Sequence, residues 1–404
     1  MEPKAARLNG YQQQIGCTAA RRPQGEKLDM SHHRSILKTL VGVGAMLATA
    51  TVLASPADRT ASGSGAGFEW EAQSRIVGFN PTAGAGDDPR YHATGGEYTG
   101  VVALIMDFDG ALFICSGSLL PDGYSILTAA HCVTDGSLGT PTRTTAYFYG
   151  GDDPNYRVPF GAESVAIDVS DYFIAAGYTG QVIDQNDLAV LRLGERAPEF
   201  AKTYDLYDGG DLTGQEFNVA GYGGRSTVGG NLGADSQTGF LRQGDNRYEW
   251  YLDDPDFAGF WDGFFGSAES GRVILSDFDN GLAVNDTGCL IAAALGLAGD
   301  KYCNTGLGLD EVGVAGGDSG GPQFVNGMIA SVTSFGLSFG TGFGDIRAGL
   351  NSSFGEFSGY VPVSIHADFI RSVMLPVPEP GTLLMLATGL LALGYRRRRM
   401  AATH

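Results

Sequence analysis

Between Ile76 and Leu375 the apolar residues arrive in short runs: Val101–Met106, Leu112–Ile114, Ser125–Thr128, Leu188–Leu193, Phe217–Ala220 and Met328–Ser334. β-Branched and aromatic side chains fill these runs, and Gly, Asp, Asn and Pro separate them. Short strands without long helical periods argue for an all-β barrel or sandwich. Glycine supplies 62 of the 404 residues, about twice its usual share. One helix is expected across Ile365–Met374, where Ile365, Phe369, Ile370 and Val373 share a face. There is no internal repeat, and Tyr204–Cys289 carries the weakest pattern despite its aromatics.

Four hundred and four residues are ample for a sizeable core, and a chain 43% hydrophobic and 18% charged is not a disordered one. The formal net charge of −19 is concentrated in the centre, because four arginines close the chain at Arg396–Arg399 and nine further basic residues precede Ile76. A body this acidic repels phosphate backbones, which excludes nucleic acid as a partner.

Both ends read as targeting segments. Arg34 and Lys38 precede an apolar stretch, Leu40–Leu53, that closes on Val52-Leu53-Ala54. This is a signal-peptide pattern for signal peptidase, and Ser55-Pro56 with no amphipathic face disfavours a buried helix. Met30 is the expected start, so residues 30–54 are the leader and residues 1–29, with Cys17, an upstream extension. At the other end Pro378-Glu379-Pro380 leads into a hydrophobic helix over 381–395 and then Arg396–Arg399. About 15 apolar residues rise roughly 22 Å, short of a bilayer core of about 30 Å, which snorkelling arginines extend. The basic tail stays on the cytoplasmic side and the body outside. The tripartite pattern over 376–404 resembles the PEP-CTERM sorting signal of Gram-negative bacteria. That resemblance implies an exosortase as processing partner, transient membrane anchorage through the helix, and an exported product at the cell surface or beyond it. An ordinary single-pass anchor is the competing reading.

Four cysteines remain in the exported body: Cys115, Cys132, Cys289 and Cys303. An even number in an exported chain reads as two disulfides with three possible pairings. Spacing favours Cys115–Cys132 and Cys289–Cys303. No Cys-x2-Cys pair exists and histidine is scarce, so a zinc site is disfavoured and no metal is assigned.

Three segments carry chemistry. Gly317-Asp318-Ser319-Gly320-Gly321-Pro322 sets a serine in a glycine-dense turn, where the backbone can approach a reacting carbonyl and aim N–H groups at its oxygen. A serine alcohol needs a base. Of the three histidines in the body, His131 in Thr128-Ala129-Ala130-His131-Cys132 ends an apolar strand, whereas His92 and His366 stand in ordinary contexts read as surface. Asp187, in Asn186-Asp187-Leu188-Ala189, opens a buried strand and can orient an imidazole.

With these motifs, in the order His–Asp–Ser, the chain resembles the chymotrypsin/trypsin family of serine endopeptidases. The resemblance runs over 76–375, with an insertion around 235–288. It implies two antiparallel six-stranded β-barrels with a C-terminal helix and an active site in the cleft between them. It assigns Ser319 as nucleophile, His131 as base, Asp187 as its orienting carboxylate, and the Gly317 and Ser319 N–H groups as oxyanion hole. The sequence Cys115-Ser116-Gly117-Ser118 matches the strand whose cysteine pairs with the one after the catalytic histidine, and the Cys289/Cys303 spacing matches the family's second-barrel bridge. Ala315 stands where the family has a further cysteine. Arg75-Ile76-Val77-Gly78 resembles the activation site: cleavage after Arg75 would free an Ile76 amine to pair with Asp318, making 55–75 a propeptide. Phe79 replaces the usual second glycine there.

For specificity, the position six before the nucleophile is Gly313, without a carboxylate, and Ser334-Phe335-Gly336 resembles the segment that pairs with substrate backbone and forms a pocket wall. The expected preference is for an apolar P1 side chain in a protein or peptide substrate, with Asp310 and Glu311 close enough in sequence to alter it. No cofactor is expected. Gly221–Gly233 opens with Gly221-Tyr222-Gly223 and lacks the ending of a phosphate loop, so it reads as a surface loop. Asp277-Phe278-Asp279-Asn280 offers oxygen ligands without EF-hand spacing and reads as a polar turn rather than a calcium site. Two rival functions use the same chain: a catalytically silent protease-fold binding protein, its cleft blocked by the insertion, and a matrix protein whose purpose lies in its sorting tail.

Overall fold

The computed structural model describes residues 60–73, 75–78, 88–134, 139–266 and 269–374. The leader, Phe79 and the sorting helix over 381–395 lie outside them. Upstream, β1 (Ala61–Gly65) and β2 (Phe68–Gln73) form a hairpin, and β3 (Arg75–Gly78) follows.

The expected strands form; the strand over Ser125–Thr128 matches its apolar run, and the others are longer or shorter by a residue or more. β4 (Val101–Phe108), β5 (Ala111–Leu119), β6 (Ser125–Thr128), β7 (Arg143–Phe148), β8 (Val165–Ile174) and β9 (Ala189–Leu193) close into a barrel in the order β4-β5-β6-β9-β8-β7. Full closure satisfies both edges of each strand. Val101, Leu104, Leu127, Val190 and Leu191 are wholly buried in its core.

The second half of the body is a curled nine-stranded sheet. Its path runs β11 (Arg242–Arg247), β10 (Glu216–Gly221), β15 (Pro322–Val325), β16 (Met328–Ser338), β17 (Phe357–Pro362), β13 (Ile274–Asp277) and β12 (Trp250–Tyr251). The hairpin adds the other two strands, β2 pairing with β16 and β1 with β2. β14 (Val312–Ala315) stands apart and pairs with β3, Val77 opposite Gly313 and Ile76 opposite Val314.

The part of the chain with the weakest sequence pattern divides in two. β11 pairs with β10 along its whole length, from Glu216↔Arg247 to Gly221↔Arg242. Beyond it, the aromatics between Trp250 and Phe265 join β2, β16 and β17 in a second core, in which the Trp261 ring stacks on Phe265 and meets Phe68 of β2. Phe68 is 3% exposed, and its burial contributes about 2 kcal/mol. The segment expected to be a propeptide is therefore part of the hydrophobic core.

Among the described residues there are two α-helices. α1 (Thr287–Leu295) is capped by Asp286, whose side chain accepts the Cys289 N–H. α2 (Ala367–Val373) is the expected C-terminal helix, with Ile370 buried against the first barrel and Ile365, Phe369 and Val373 beside it. His366, read as a surface residue, is half-buried at the start of this helix, its Nε2 2.8 Å from the carbonyl oxygen of Gln185.

Candidate functional site

His131 lies in one 3₁₀ turn, Ala130–Cys132, directly after β6. The Cys115–Cys132 disulfide ties that turn to β5, and Cys289–Cys303 ties α1 to the segment after it. The apolar residues flanking His131 are fully buried, so the ring is held by packing as well as by the bridge. Asp187 precedes β9 by two residues, and β9 pairs with β6, which brings the carboxylate to the turn.

Asp187 grips His131 twice. Its Oδ1 accepts the His131 backbone N–H at 2.8 Å, and its Oδ2 accepts Nδ1–H at 2.7 Å. With the Nδ1 proton held there, Nε2 is left as the basic nitrogen. Ser334 Oγ of β16 donates to the same Oδ2 at 2.5 Å. Burial opposes ionisation of Asp187. The charge of His131, with the hydrogen bonds from His131 and Ser334, outweighs it, and the carboxyl titrates below the usual carboxylate range.

Ser319 sits in a tight turn: Asp318 N–H donates to Ala315 O at 3.0 Å and Gly321 N–H to Asp318 O at 2.7 Å. The turn is stitched to the first barrel, because Ser116 N–H donates to Ser319 O at 2.8 Å and Ser116 Oγ to Gly317 O at 2.8 Å. Gly320, at φ +80°, passes so close to β6 that a Cβ there would stand 1.9 Å from Thr128 Oγ1 and 2.9 Å from the Ala129 nitrogen. The serine turn thus abuts the residues leading into His131. Gly317 has φ +107°, and among the described residues no acceptor takes the Gly317 or Ser319 N–H. Two such donors in one turn can receive an oxyanion. Asp187, Ser319 and His131 are 1%, 2% and 8% exposed, so each of the three is covered.

Asp318 is wholly buried beside the turn. Oδ1 accepts the Gly223 N–H at 2.9 Å and Oδ2 the Ala315 N–H at 3.1 Å. No cation pairs with it among the described residues, and burial pushes its carboxyl well above the usual range, the Gly223 bond offsetting only part. Cβ atoms on Gly221 and Gly223 would fall 2.1 Å and 1.8 Å from its oxygens, so the Gly-Tyr-Gly pattern keeps space for this carboxylate.

The residues expected to shape a specificity pocket meet different fates. A Cβ on Gly313 would touch the Phe278 ring at 2.9 Å. Ser334 is engaged with Asp187, the Phe335 ring is buried in the second core, and Gly336 pairs with Gln73 of β2. Asp310 pairs with Arg90 at 3.1 Å, and Glu311 accepts the N–H groups of Asp279 and Leu307. Three contributors went unassigned at the sequence level: Ser116, which holds the serine turn, Ser334 as a donor to Asp187, and the paired glycines 221 and 223. Each lay inside a motif already singled out, but its role depends on a contact across more than 90 residues.

Comparison with known families matches residues 94–243 to the trypsin family, a span that holds His131 and Asp187 and ends before Ser319. Residues 376–399 match the PEP-CTERM protein-sorting motif. No curated protein matches the chain. Among solved structures, HL collagenase is similar at 18% identity, with a TM-score of 0.45, over 70% of this chain and 96% of that one.

Proposed function

We propose that this protein, trypsin-like over residues 94–243, is an exported serine endopeptidase working through His131, Asp187 and Ser319. Ser319 Oγ attacks the peptide carbonyl while His131 Nε2 takes its proton, and the Gly317 and Ser319 N–H groups receive the developing oxyanion. His131 returns the proton to the leaving amine, and water then releases the acyl group by the same route. Asp187 keeps Nδ1 protonated and stabilises the imidazolium. The observation that carries this reading is the double grip of Asp187 on His131, with the Ser319 turn bonded to the strand beside it.

The chain is made latent in this reading. β2 pairs along Gly336–Ser338, starting at the last residue of the Ser334–Gly336 segment that the family resemblance gives to substrate backbone and continuing past it. Asp318 awaits a cation, and β3 lies on β14 with Ile76 opposite Val314, four residues before Asp318. Cleavage after Arg75 supplies an Ile76 ammonium for that carboxylate, which is otherwise an uncompensated buried group. The low exposure of the triad also suits a silent binding protein; retention of all three side chains, with Asp187 bonded to His131 and the Ser319 turn against the residues leading into His131, favours latency. Apolar P1 residues are the proposed preference, and the sorting motif supports export with exosortase processing.

A peptide-library digest tests this. The purified chain should be inactive when intact and cleave after apolar residues once cut after Arg75, with Ser319→Ala inert in both states. Arg75→Gln should stay latent. Equal activity of Arg75→Gln and wild type would remove the activation step, and no hydrolysis after processing would remove the peptidase.

A further inference from the structure

We propose that Glu249, Asp277 and Asp279 form a binding site for a hard divalent cation, calcium by its donor set, built where the segment around Glu249 meets the 277–280 turn. The site is separate from the triad and does not depend on whether the chain cleaves peptides.

The turn alone lacks the spacing of a calcium loop, and the missing ligand comes from elsewhere in the chain. Glu249 stands between β11 and β12, and one carboxylate oxygen from each of Glu249, Asp277 and Asp279 lies within 4.8 Å of the others. The residues are 5%, 2% and 1% exposed. Two of their oxygens have protein donors: Asn304 Nδ2 donates to Glu249 Oε1 at 2.6 Å, and Gly288 N–H donates to Asp277 Oδ2 at 3.0 Å. The rest do not. Glu249 Oε2, Asp277 Oδ1 and both oxygens of Asp279 are buried with no donor, the three carboxyls lying within hydrogen-bonding reach of one another.

Four orphaned carboxylate oxygens in one buried cluster call for positive charge, since desolvating even one unpaired carboxylate is costly. The neighbouring cations are committed elsewhere: Lys301 pairs with Asp254 and Asp256, and Arg247 with Glu216. Among the described residues no basic side chain forms an ion pair with the cluster. An all-oxygen donor set selects a hard cation. Calcium–oxygen distances of about 2.3–2.6 Å put ligands on opposite sides of the ion up to about 5 Å apart, which the spacing of these oxygens matches.

The surroundings are shaped for it. A Cβ on Gly288 would stand 2.9 Å from Glu249 Oε2, 2.9 Å from the Tyr302 carbonyl oxygen and 3.7 Å from Asp277 Oδ2. Glycine therefore leaves open a space ringed by oxygens, with the Tyr302 carbonyl as a further donor. Gly288 and Tyr302 each precede a cysteine of the Cys289–Cys303 bridge, which fixes the two sides of the site. A bound ion would join β13, α1 and the segment around Glu249, where the three carboxylates meet.

The test uses the purified full chain. Metal analysis after desalting should find one calcium per chain. The melting midpoint should rise by about 5 °C or more when calcium reaches a hundredfold excess over Kd, relative to chelator. Magnesium should give a smaller rise, and terbium should show emission sensitised by the adjacent Trp250. Asp279→Asn and Glu249→Gln should lose the bound calcium and the terbium emission, whereas Glu216→Gln on the surface retains both. Absence of bound metal, with the same midpoint in calcium and chelator, would overturn the proposal whatever the variants do. A midpoint that responds to pH and ignores calcium would overturn it too, by showing that the carboxyls share protons instead.

Discussion

Replacing Gly223 by alanine isolates the coupling between the Gly-Tyr-Gly segment and the reactive turn. Gly223 has no left-handed φ, so alanine adds no backbone strain, and all of its effect must come from what the methyl meets. The new Cβ would stand 1.8 Å from Asp318 Oδ2 and 2.4 Å from its Cγ, where real Cβ atoms essentially never come closer than 3.0 Å. Asp318 must swing away by about an ångström or more, and with it goes the 2.9 Å bond from Gly223 N–H. Unpairing a buried carboxylate costs about 1–3 kcal/mol. Asp318 also carries the carbonyl that anchors Gly321 and precedes the Ser319 N–H, so the proposed oxyanion donors move with it. Misplacing one such donor lowers kcat by about 10²–10³-fold. The assay is kcat and KM on an apolar peptide substrate after cleavage following Arg75, with Gly210→Ala as control, since a Cβ there meets nothing within 4 Å. Gly223→Ala should lose about 10²-fold in kcat with KM little changed. A variant as active as the control would refute the claim that Asp318 organises the turn.

Three further outcomes follow from the same geometry. Asp187→Asn should fold normally and lose about 10⁴-fold in kcat, because an amide no longer fixes the Nδ1–H tautomer; steady-state kinetics beside a melting curve separates the two effects. Paired Cys115→Ser and Cys132→Ser substitutions open a loop of 17 residues and should cost about 3 kcal/mol of stability in urea unfolding, with a further loss of activity as the His131 turn loosens. Burial, reinforced by the charge of Asp345, pushes the Glu356 carboxyl up from 4.5 to about 8. The folded chain then binds more protons than the unfolded chain across that window. Stability should therefore fall as pH rises from about 4.5 to about 8, on the order of 1 kcal/mol per pH unit from this group, and Glu356→Gln should flatten the slope.

Much of the scaffold was legible because it is local. The apolar runs at Val101, Ser125 and Leu188 became β4, β6 and β9, since strand propensity and a short apolar run point the same way there. The helix face of Ile365, Phe369, Ile370 and Val373 was equally plain. His131, Asp187 and Ser319 each stood out by their neighbours, and the 2.7 Å contact between the first two accords with that reading. Contacts between distant segments were not legible. Nothing in Phe68–Gln73 announces a strand that will pair with Gly336–Ser338 more than 260 residues later. Asp277-Phe278-Asp279-Asn280 read as a polar turn because its third carboxylate, Glu249, comes from an insertion with no periodic pattern. Ser334 looked like a pocket wall, and only the fold reveals that its hydroxyl turns toward Asp187.

The most direct test of the central claim is covalent labelling with a fluorophosphonate, the adduct mapped by peptide mass spectrometry on chain cleaved after Arg75. The account predicts a single stoichiometric adduct on Ser319, absent in Ser319→Ala and strongly slowed in His131→Ala. Processed, folded protein that takes up no label, or that carries it on another residue at the same rate with His131 replaced, would contradict it.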